Sequence, residues 1–179
     1  ILMVLEFPVP FAPSFYGLDF SELPALIGAF AYGPVAGVMI EFCKILIKLV
    51  LKPSSTAFVG ELANFSISCM LVLPASVIYL FKKSRKQAIL GTVVGTLIMT
   101  AFGSCFNAIY LLPKFSELYG IPLDAIIGMG TAINPAIHSI SGLVLMCVVP
   151  LNLLKGGLVS LITILVYKKL SPILKAAHK

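Results

Sequence analysis

Residues 57–112 read AFVGELANFSISCMLVLPASVIYLFKKSRKQAILGTVVGTLIMTAFGSCFNAIYLL, which is two long apolar stretches joined by the basic run KKSRK at 82–86. Each stretch exceeds the roughly 20 residues that a helix needs to cross a bilayer. Lysine and arginine are enriched in the cytoplasmic loops of membrane proteins. These residues therefore predict two antiparallel transmembrane helices joined by a cytoplasmic turn.

The composition of the whole chain extends this prediction. Of its 179 residues, 59% are hydrophobic and only 11% are charged, whereas a soluble domain has about 25% charged residues. The chain lacks the ten-residue alternating segments of membrane β-barrels, so helices are the structure that satisfies its backbone in lipid. We predict an all-α, polytopic membrane helical bundle that forms one domain over residues 1–179. The net charge of +6 lies in helix-end clusters, which disfavours nucleic acid as a partner.

Six apolar segments predict six transmembrane helices, at about 1–7, 22–32, 35–51, 57–81, 87–112 and 140–167. The first segment is too short to span a bilayer, so we expect most of that helix to be missing from this chain. Prolines and glycines between 113 and 139 predict a long ordered loop with one helical turn near 123–128. The Gly91–Gly95 pair matches GxxxG, a pattern of close helix packing.

Two basic clusters set the predicted orientation. One is the KKSRK run, and the other comprises Lys168, Lys169, Lys175 and Lys179. Placing both in the cytoplasm puts both chain termini there as well. The connections near 7–20, 52–56 and 113–139 then face outside.

Polar residues within the apolar segments are the candidates for function, because such groups are costly in a membrane. In the predicted orientation they lie in the outer half of the bilayer or near its midplane. They are Glu41, Lys44, Asn64, Asn107, Asn152 and Lys155, with Asn134 in the loop before the last helix. We expect them to form an outward-opening pocket for a polar molecule with a flat apolar part. The alternatives are a structural Glu41–Lys44 ion pair and interhelical hydrogen bonds from Asn64 and Asn107.

The loop at 7–20, FPVPFAPSFYGLDF, contains three prolines and five aromatic residues. Proline favours extended, stiff backbone. Such a loop predicts a lid or wall over a site. The alternative is an aromatic belt that anchors helix ends at the membrane interface.

Motifs for metal binding and catalysis are lacking in the sequence. The four cysteines are isolated, without a CxxC pair or a histidine at ligand spacing, so we expect no metal site. Asp19 and Asp124 both fall in predicted loops, which argues against an intramembrane aspartyl protease. There is no GxSxG, HExxH or GxxxxGK[ST] motif either, so we expect no catalytic residues.

Residues 7–51 resemble the riboflavin-specific S components of energy-coupling factor (ECF) vitamin transporters. The resemblance lies in the Pro/Phe-rich loop, DFSxLP at 19–24, GPxxG at 33–37 and ExxK at 41–44. Later pieces also match, namely GELANF, CFNAIYLLP and PLNLLK. Together these pieces extend over nearly the whole chain.

The resemblance implies a cell-membrane subunit that binds riboflavin from outside, as transported substrate rather than as cofactor. Its partners would be a membrane T component and two cytoplasmic ATPases. Asn152 and Lys155 match an NxxK motif on the last helix and are expected to hydrogen-bond the vitamin. By motif position and depth, Glu41, Lys44, Asn64 and Asn107 are further candidates. Asn134, in the loop before the last helix, is a separate candidate. Phe11, Phe15 and Tyr16 are expected to pack on the flavin ring or close the lid.

Two transport alternatives stay open from the sequence. An S component for another vitamin, such as thiamine or biotin, would use the same scaffold. A stand-alone secondary transporter is disfavoured by the absence of an internal repeat and by the short second helix. It would also need polar groups toward the inner face, where this sequence has few.

Overall fold

The structure is a computed structural model that describes residues 2–3, 6–54 and 56–176, with side chains to residue 166. Two short strands, β1 (Phe7–Pro8) and β2 (Gly17–Leu18), pair antiparallel. The α-helices of the described part are α1 (Glu22–Tyr32), α2 (Pro34–Leu51), α3 (Val59–Phe81), α4 (Arg85–Phe106), α5 (Leu112–Tyr119), α6 (Leu123–Thr131), α7 (Ile140–Leu143) and α8 (Val149–Ala176). Two π-helical segments, Asn107–Leu111 and Val144–Val148, join α4 to α5 and α7 to α8.

The predicted all-α membrane bundle is confirmed. Within the described residues, three continuous helical stretches are long and apolar enough to cross a bilayer: Val59–Phe81, Arg85–Tyr119 and Ile140–Val166. Helix α1 is apolar but has only 11 residues. Helix α2 has 18 residues and includes Glu41, Lys44 and Lys48.

The predicted loop at 113–139 is partly wrong. Helix α5 continues through Pro113 to Tyr119, and α6 adds a helix of nine residues. Pro113 is the second residue of α5 and directly follows the π-helical segment, so it lies where the helical hydrogen-bonding pattern changes and not within an uninterrupted α-helix. The helix ends at Gly120, whose φ of 61° is the left-handed conformation that glycine adopts readily.

The first predicted helix, at 1–7, is not helical in its described residues. Leu2 and Met3 form a turn, and Phe7 pairs with Leu18 across the two strands. Residues 1, 4 and 5 lie outside the described part of the chain. So do the side chains of the C-terminal basic cluster, which begins at Lys168.

Helices α3 and α4 form a tight hairpin at the centre of the bundle. A Cβ added at Gly95 would lie 2.5 Å from the carbonyl oxygen of Leu71, and one at Gly91 would lie 2.5 Å from that of Ala75. Glycine at both positions lets the helix backbones touch, as the GxxxG pattern predicted. Helix α8 packs on α4, and α1 and α2 pack together beside α3.

The loop before α1 covers one end of this bundle. Its residues Ala12, Tyr16 and Leu18 join a hydrophobic cluster with α5 to α8. The cluster holds the loop against the ends of the helices that are farthest from the α3–α4 turn.

Candidate substrate-binding site

A cavity of about 600 Å³ lies beneath this loop. It is bounded by the first half of α3, the second half of α4 and the start of α8. The end of α2 and helices α5 and α6 complete its wall. Since α3 begins at the cavity and ends at Phe81, the cavity lies at the opposite end of the bundle from Lys82 and Lys83.

Lys155 is the central charge of the site. Its Nζ lies 2.8 Å from Glu22 Oε1 on α1 and 2.9 Å from Asp19 Oδ2 in the loop. Both carboxylates are almost fully buried. A buried ammonium is tolerated only when carboxylates of this kind compensate it.

Asn152 lies one helical turn before Lys155 and also lines the cavity. Its side chain is 7% exposed, and its Nδ2 has no hydrogen-bond partner among the described residues. The amide packs against α4 at Gly103, where a Cβ would come within 2.8 Å of Nδ2. A buried amide donor without a partner is rare in a folded protein, so it marks a place where a ligand can bind.

A chain of polar contacts leads from Glu22 away from the cavity. Glu22 Oε1 accepts a hydrogen bond from Ser68 Oγ at 2.7 Å and lies 3.5 Å from Lys44 Nζ. Lys44 in turn lies 2.5 Å from Glu41. The cluster links the loop with helices α1, α2, α3 and α8. Within the described residues, no group of three or more His, Cys, Asp or Glu side chains is arranged to hold a metal.

A second polar group closes the cavity between α2 and α3. Glu61 accepts hydrogen bonds from Lys48, from Ser54 at 2.8 Å and from Thr56 at 3.0 Å. These contacts fix the α2–α3 connection beside the cavity, which Lys52 also lines.

Tyr16 and Asn107 join the loop to α4. The Tyr16 hydroxyl donates to Asn107 Oδ1 at 2.9 Å, and Asn107 Nδ2 donates to the carbonyl of Gly103 at 2.8 Å. Burial raises the pKa of Tyr16 above its usual range, so the hydroxyl keeps its proton and stays a donor. Asn107 starts the π-helical segment, a turn type that is frequent at functional sites.

The structure brings six of the ten predicted site residues together around the cavity. They are Asn64, Asn107, Asn152, Lys155, Phe15 and Tyr16.

The other four predicted residues lie elsewhere. Glu41 and Lys44 form their own ion pair behind Glu22, as the structural alternative anticipated. Phe11 packs into the hydrophobic cluster of the loop. Asn134 lies in the turn after α6, where its Oδ1 accepts from the Ala136 N–H at 3.0 Å. Direct ligand contacts from these four remain predictions.

Asp19 and Glu22 also line the cavity, although neither was predicted as a site residue. Asp19 ends the aromatic loop and Glu22 starts an apolar helix. An acidic residue at a helix start has an ordinary explanation, because it favours the helix dipole. The feature of the sequence that could have pointed to them is Lys155, because an ammonium deep in the membrane needs a buried carboxylate as partner.

Comparisons with known proteins agree with this architecture. Residues 1–167 match the family model described as "ECF transporter, substrate-specific component". The chain is 33% identical to "Riboflavin transporter RibU" of Staphylococcus aureus, over 98% of this chain and 85% of that protein. It is 31% identical to "Riboflavin transporter FmnP" of Bacillus subtilis, over 96% of this chain and 85% of that protein.

A solved structure gives the same result for the fold. It is described as "Structure and mechanism of the S component of a bacterial ECF transporter". It superposes with a TM-score of 0.72 at 35% identity, over 97% of this chain and 89% of that chain. The family resemblance of the sequence is therefore confirmed, and the chain belongs to the substrate-specific components of ECF transporters.

Proposed function

We propose that this chain is a riboflavin-binding S component that captures the vitamin at the outer face of the cell membrane. Riboflavin would be its transported substrate and not a resident cofactor. The proposal is supported by the relatives named as riboflavin transporters. It is supported independently by the chemistry of the cavity wall.

The cavity suits a flavin in size and in lining. Its volume of about 600 Å³ lies within the roughly 300–1,000 Å³ of small-molecule sites. Phe15, Phe115 and Tyr119 offer aromatic surface for a flat ring system. Amides and charged groups on α3, α4 and α8 offer partners for the ring carbonyls and the hydroxyls of the ribityl chain.

The unpartnered Asn152 Nδ2 next to Lys155 is the observation that carries the proposal. An ammonium has three donors, and the two carboxylates at Lys155 account for two of them. Asn152 and Lys155 can thus each donate to a flavin carbonyl. Asn64 and Asn107 are proposed as further hydrogen-bonding residues, and Phe15 and Tyr16 as the roof over the ring.

Transport would require partners, as in ECF transporters generally. We propose a membrane T component and two cytoplasmic ATPases, which would hydrolyse the ATP. The cavity would face outside and both chain termini the cytoplasm, with residues 1–179 acting as one domain. The position of the cavity at the end of the bundle remote from Lys82 and Lys83 supports this orientation.

Riboflavin titration of the purified protein in detergent tests the proposal. Protein prepared without added vitamin should quench riboflavin fluorescence in a saturable manner, or should already be yellow and release riboflavin on denaturation. Lys155→Met and Asn152→Leu should each weaken binding about 10–100-fold, because each removes a buried hydrogen bond to the ligand.

Lys114→Met is the matched control, because Lys114 lies in an exposed pair with Glu117. It should bind riboflavin like the unmodified protein. Absence of riboflavin binding, with saturable binding of thiamine or biotin instead, would contradict the proposal.

A further inference from the structure

We propose that Asp19 is a positioning residue that orients the Lys155 ammonium toward the ligand and holds the first loop closed over the cavity. The inference rests on the proposed function for its ligand, and it deepens that function by naming the contact that retains the ligand. Asp19 and Lys155 are 136 positions apart in the chain. Their ion pair connects the loop directly to α8.

The carboxylate of Asp19 is held in a fixed orientation. Its Oδ1 accepts a hydrogen bond from the Ser21 N–H at 2.7 Å and another from Ser21 Oγ. This leaves Oδ2 to face Lys155 Nζ at 2.9 Å. Asp19 is 2% exposed, so the pair is shielded from water and its attraction is little screened.

Asp19 and Glu22 have different positions around the same ammonium. Glu22 lies on α1, and its partners Ser68 and Lys44 lie on α3 and α2, outside the loop. Asp19 lies at the end of the loop. The Asp19–Lys155 pair therefore fixes the junction between the loop and α1, whereas Glu22 is also fixed by its contacts with α2 and α3.

The other polar contacts between the loop and the helices are weaker than this ion pair, and they add to the hydrophobic cluster that already holds the loop. The Tyr16 hydroxyl donates to Asn107, and the Cys147 thiol donates to the carbonyl of Phe11 at 3.2 Å. Both are neutral hydrogen bonds, which are roughly half as strong as charge-assisted ones. Among the described polar contacts between the loop and the helices, the Asp19–Lys155 pair is thus the one formed by charged groups.

Loop closure and ligand binding share Lys155 and therefore reinforce each other. With Asp19 in place, the ammonium is held by two carboxylates and its third donor points to neither. Loss of Asp19 frees the ammonium to turn and frees the loop to open. Both changes should speed ligand release more than they slow capture.

The first test compares riboflavin binding by Asp19→Asn with binding by the control Asp124→Asn. Asp124 is exposed and lies in the first turn of α6, outside the cavity lining. We expect Asp19→Asn to weaken affinity about 10–100-fold, mainly through faster dissociation, because it removes a buried charge-assisted contact. Asp124→Asn should leave affinity unchanged, and Asp19→Glu should restore part of the loss.

A double-mutant cycle shows whether Asp19 acts through Lys155. In the Lys155→Met background, Asp19→Asn should weaken binding further by less than about threefold, since its partner is already gone. An undiminished loss in that background would overturn the proposal, as would equal affinities for Asp19→Asn and Asp124→Asn.

The second test needs no ligand, so it separates this inference from the proposed function. Cys147 is fully buried in the hydrophobic cluster that contains the loop, and Cys69 is buried on α3 outside that cluster. Maleimide labelling, read by mass spectrometry of the peptides, should be about tenfold faster at Cys147 in Asp19→Asn, with Cys69 unchanged. Unchanged labelling of Cys147, or equal acceleration at both thiols, would overturn the role proposed for Asp19 in holding the loop closed. Failure of the unmodified protein to bind riboflavin would overturn the proposed function alone.

Discussion

The two halves of the helical bundle use the same helices in different ways. In the half near Lys82, which we call the closed half, α3 and α4 touch backbone to backbone at Gly91 and Gly95. In the other half, which we call the open half, Asn64 on α3 and Asn107 after α4 line the cavity. The π-helical turn at Asn107 lies in this open half.

Polar groups also differ between the halves. In the closed half, the hydroxyls of Thr92, Thr96 and Thr163 donate to carbonyls of their own helices. Their hydrogen-bonding capacity is met locally, as is usual for such residues in helices. Among the described residues, a buried polar atom without a hydrogen-bond partner occurs in both halves, at Gln87 Oε1 in the closed half and at Asn152 Nδ2 in the open half. Of these two residues, Asn152 lines the cavity and Gln87 does not. The comparison indicates that the closed half stabilises the fold and the open half is arranged to bind.

The largest expected effect comes from changing the closed half. Gly95→Ala places a methyl group 2.5 Å from the Leu71 carbonyl oxygen, so α3 and α4 must move apart. We expect a loss of about 2–3 kcal/mol in the free energy of unfolding. Gly157→Ala on α8 is the control, since a Cβ there meets nothing within 4 Å. Thermal unfolding in detergent measures both, and equal midpoints would contradict the role given to the closed half.

An intermediate effect is expected where the halves meet. Gly103→Ala brings a methyl group within 2.8 Å of Asn152 Nδ2 and should displace the amide. Riboflavin affinity should fall about tenfold, the equivalent of one displaced hydrogen bond, while the unfolding midpoint changes less than in Gly95→Ala. Gly128→Ala, where a Cβ has open space, should bind normally. Normal binding by Gly103→Ala would show that Asn152 does not need its present position.

A smaller effect is expected in the loop before α1. Tyr16→Phe removes the hydroxyl that donates to Asn107 Oδ1 and leaves the ring packing intact. Affinity for riboflavin should fall about threefold, in line with a neutral hydrogen bond. Tyr32→Phe is the control, because Tyr32 is exposed at the end of α1. Fluorescence titration measures the riboflavin affinity of both variants. Equal affinities would show that the hydroxyl contact does not hold the loop.

The smallest effect is expected at the exposed pair Lys114–Glu117 on α5. Glu117→Gln should change neither the unfolding midpoint nor riboflavin affinity measurably, because exposed ion pairs contribute little. Glu22→Gln, in the buried network, is the contrasting variant and should lower the unfolding midpoint clearly. Equal unfolding midpoints for the two variants would show that the buried charge network does not stabilise the protein more than the exposed pair does.

The membrane helices and the family were predictable because their signals are local. Apolar length alone predicts α3, α4 and α8, and the basic run at 82–86 separates the first two. The aromatic loop and the motifs at 19–24 and 33–37 carried the family resemblance. Depth in the membrane also selected Asn64, Asn107, Asn152 and Lys155, since polar groups stand out in an apolar segment.

Only the tertiary structure decided how the charged residues pair. Sequence spacing joins Glu41 to Lys44, one helical turn apart, but cannot show that Asp19 and Glu22 reach Lys155. That contact depends on which faces of α1 and α8 meet and on how the loop folds back. The helix through Pro113 likewise depends on where the preceding π-helical turn ends. Hydropathy is a property of each segment by itself, whereas the partners of a buried charge are set by the packing of segments far apart in the chain.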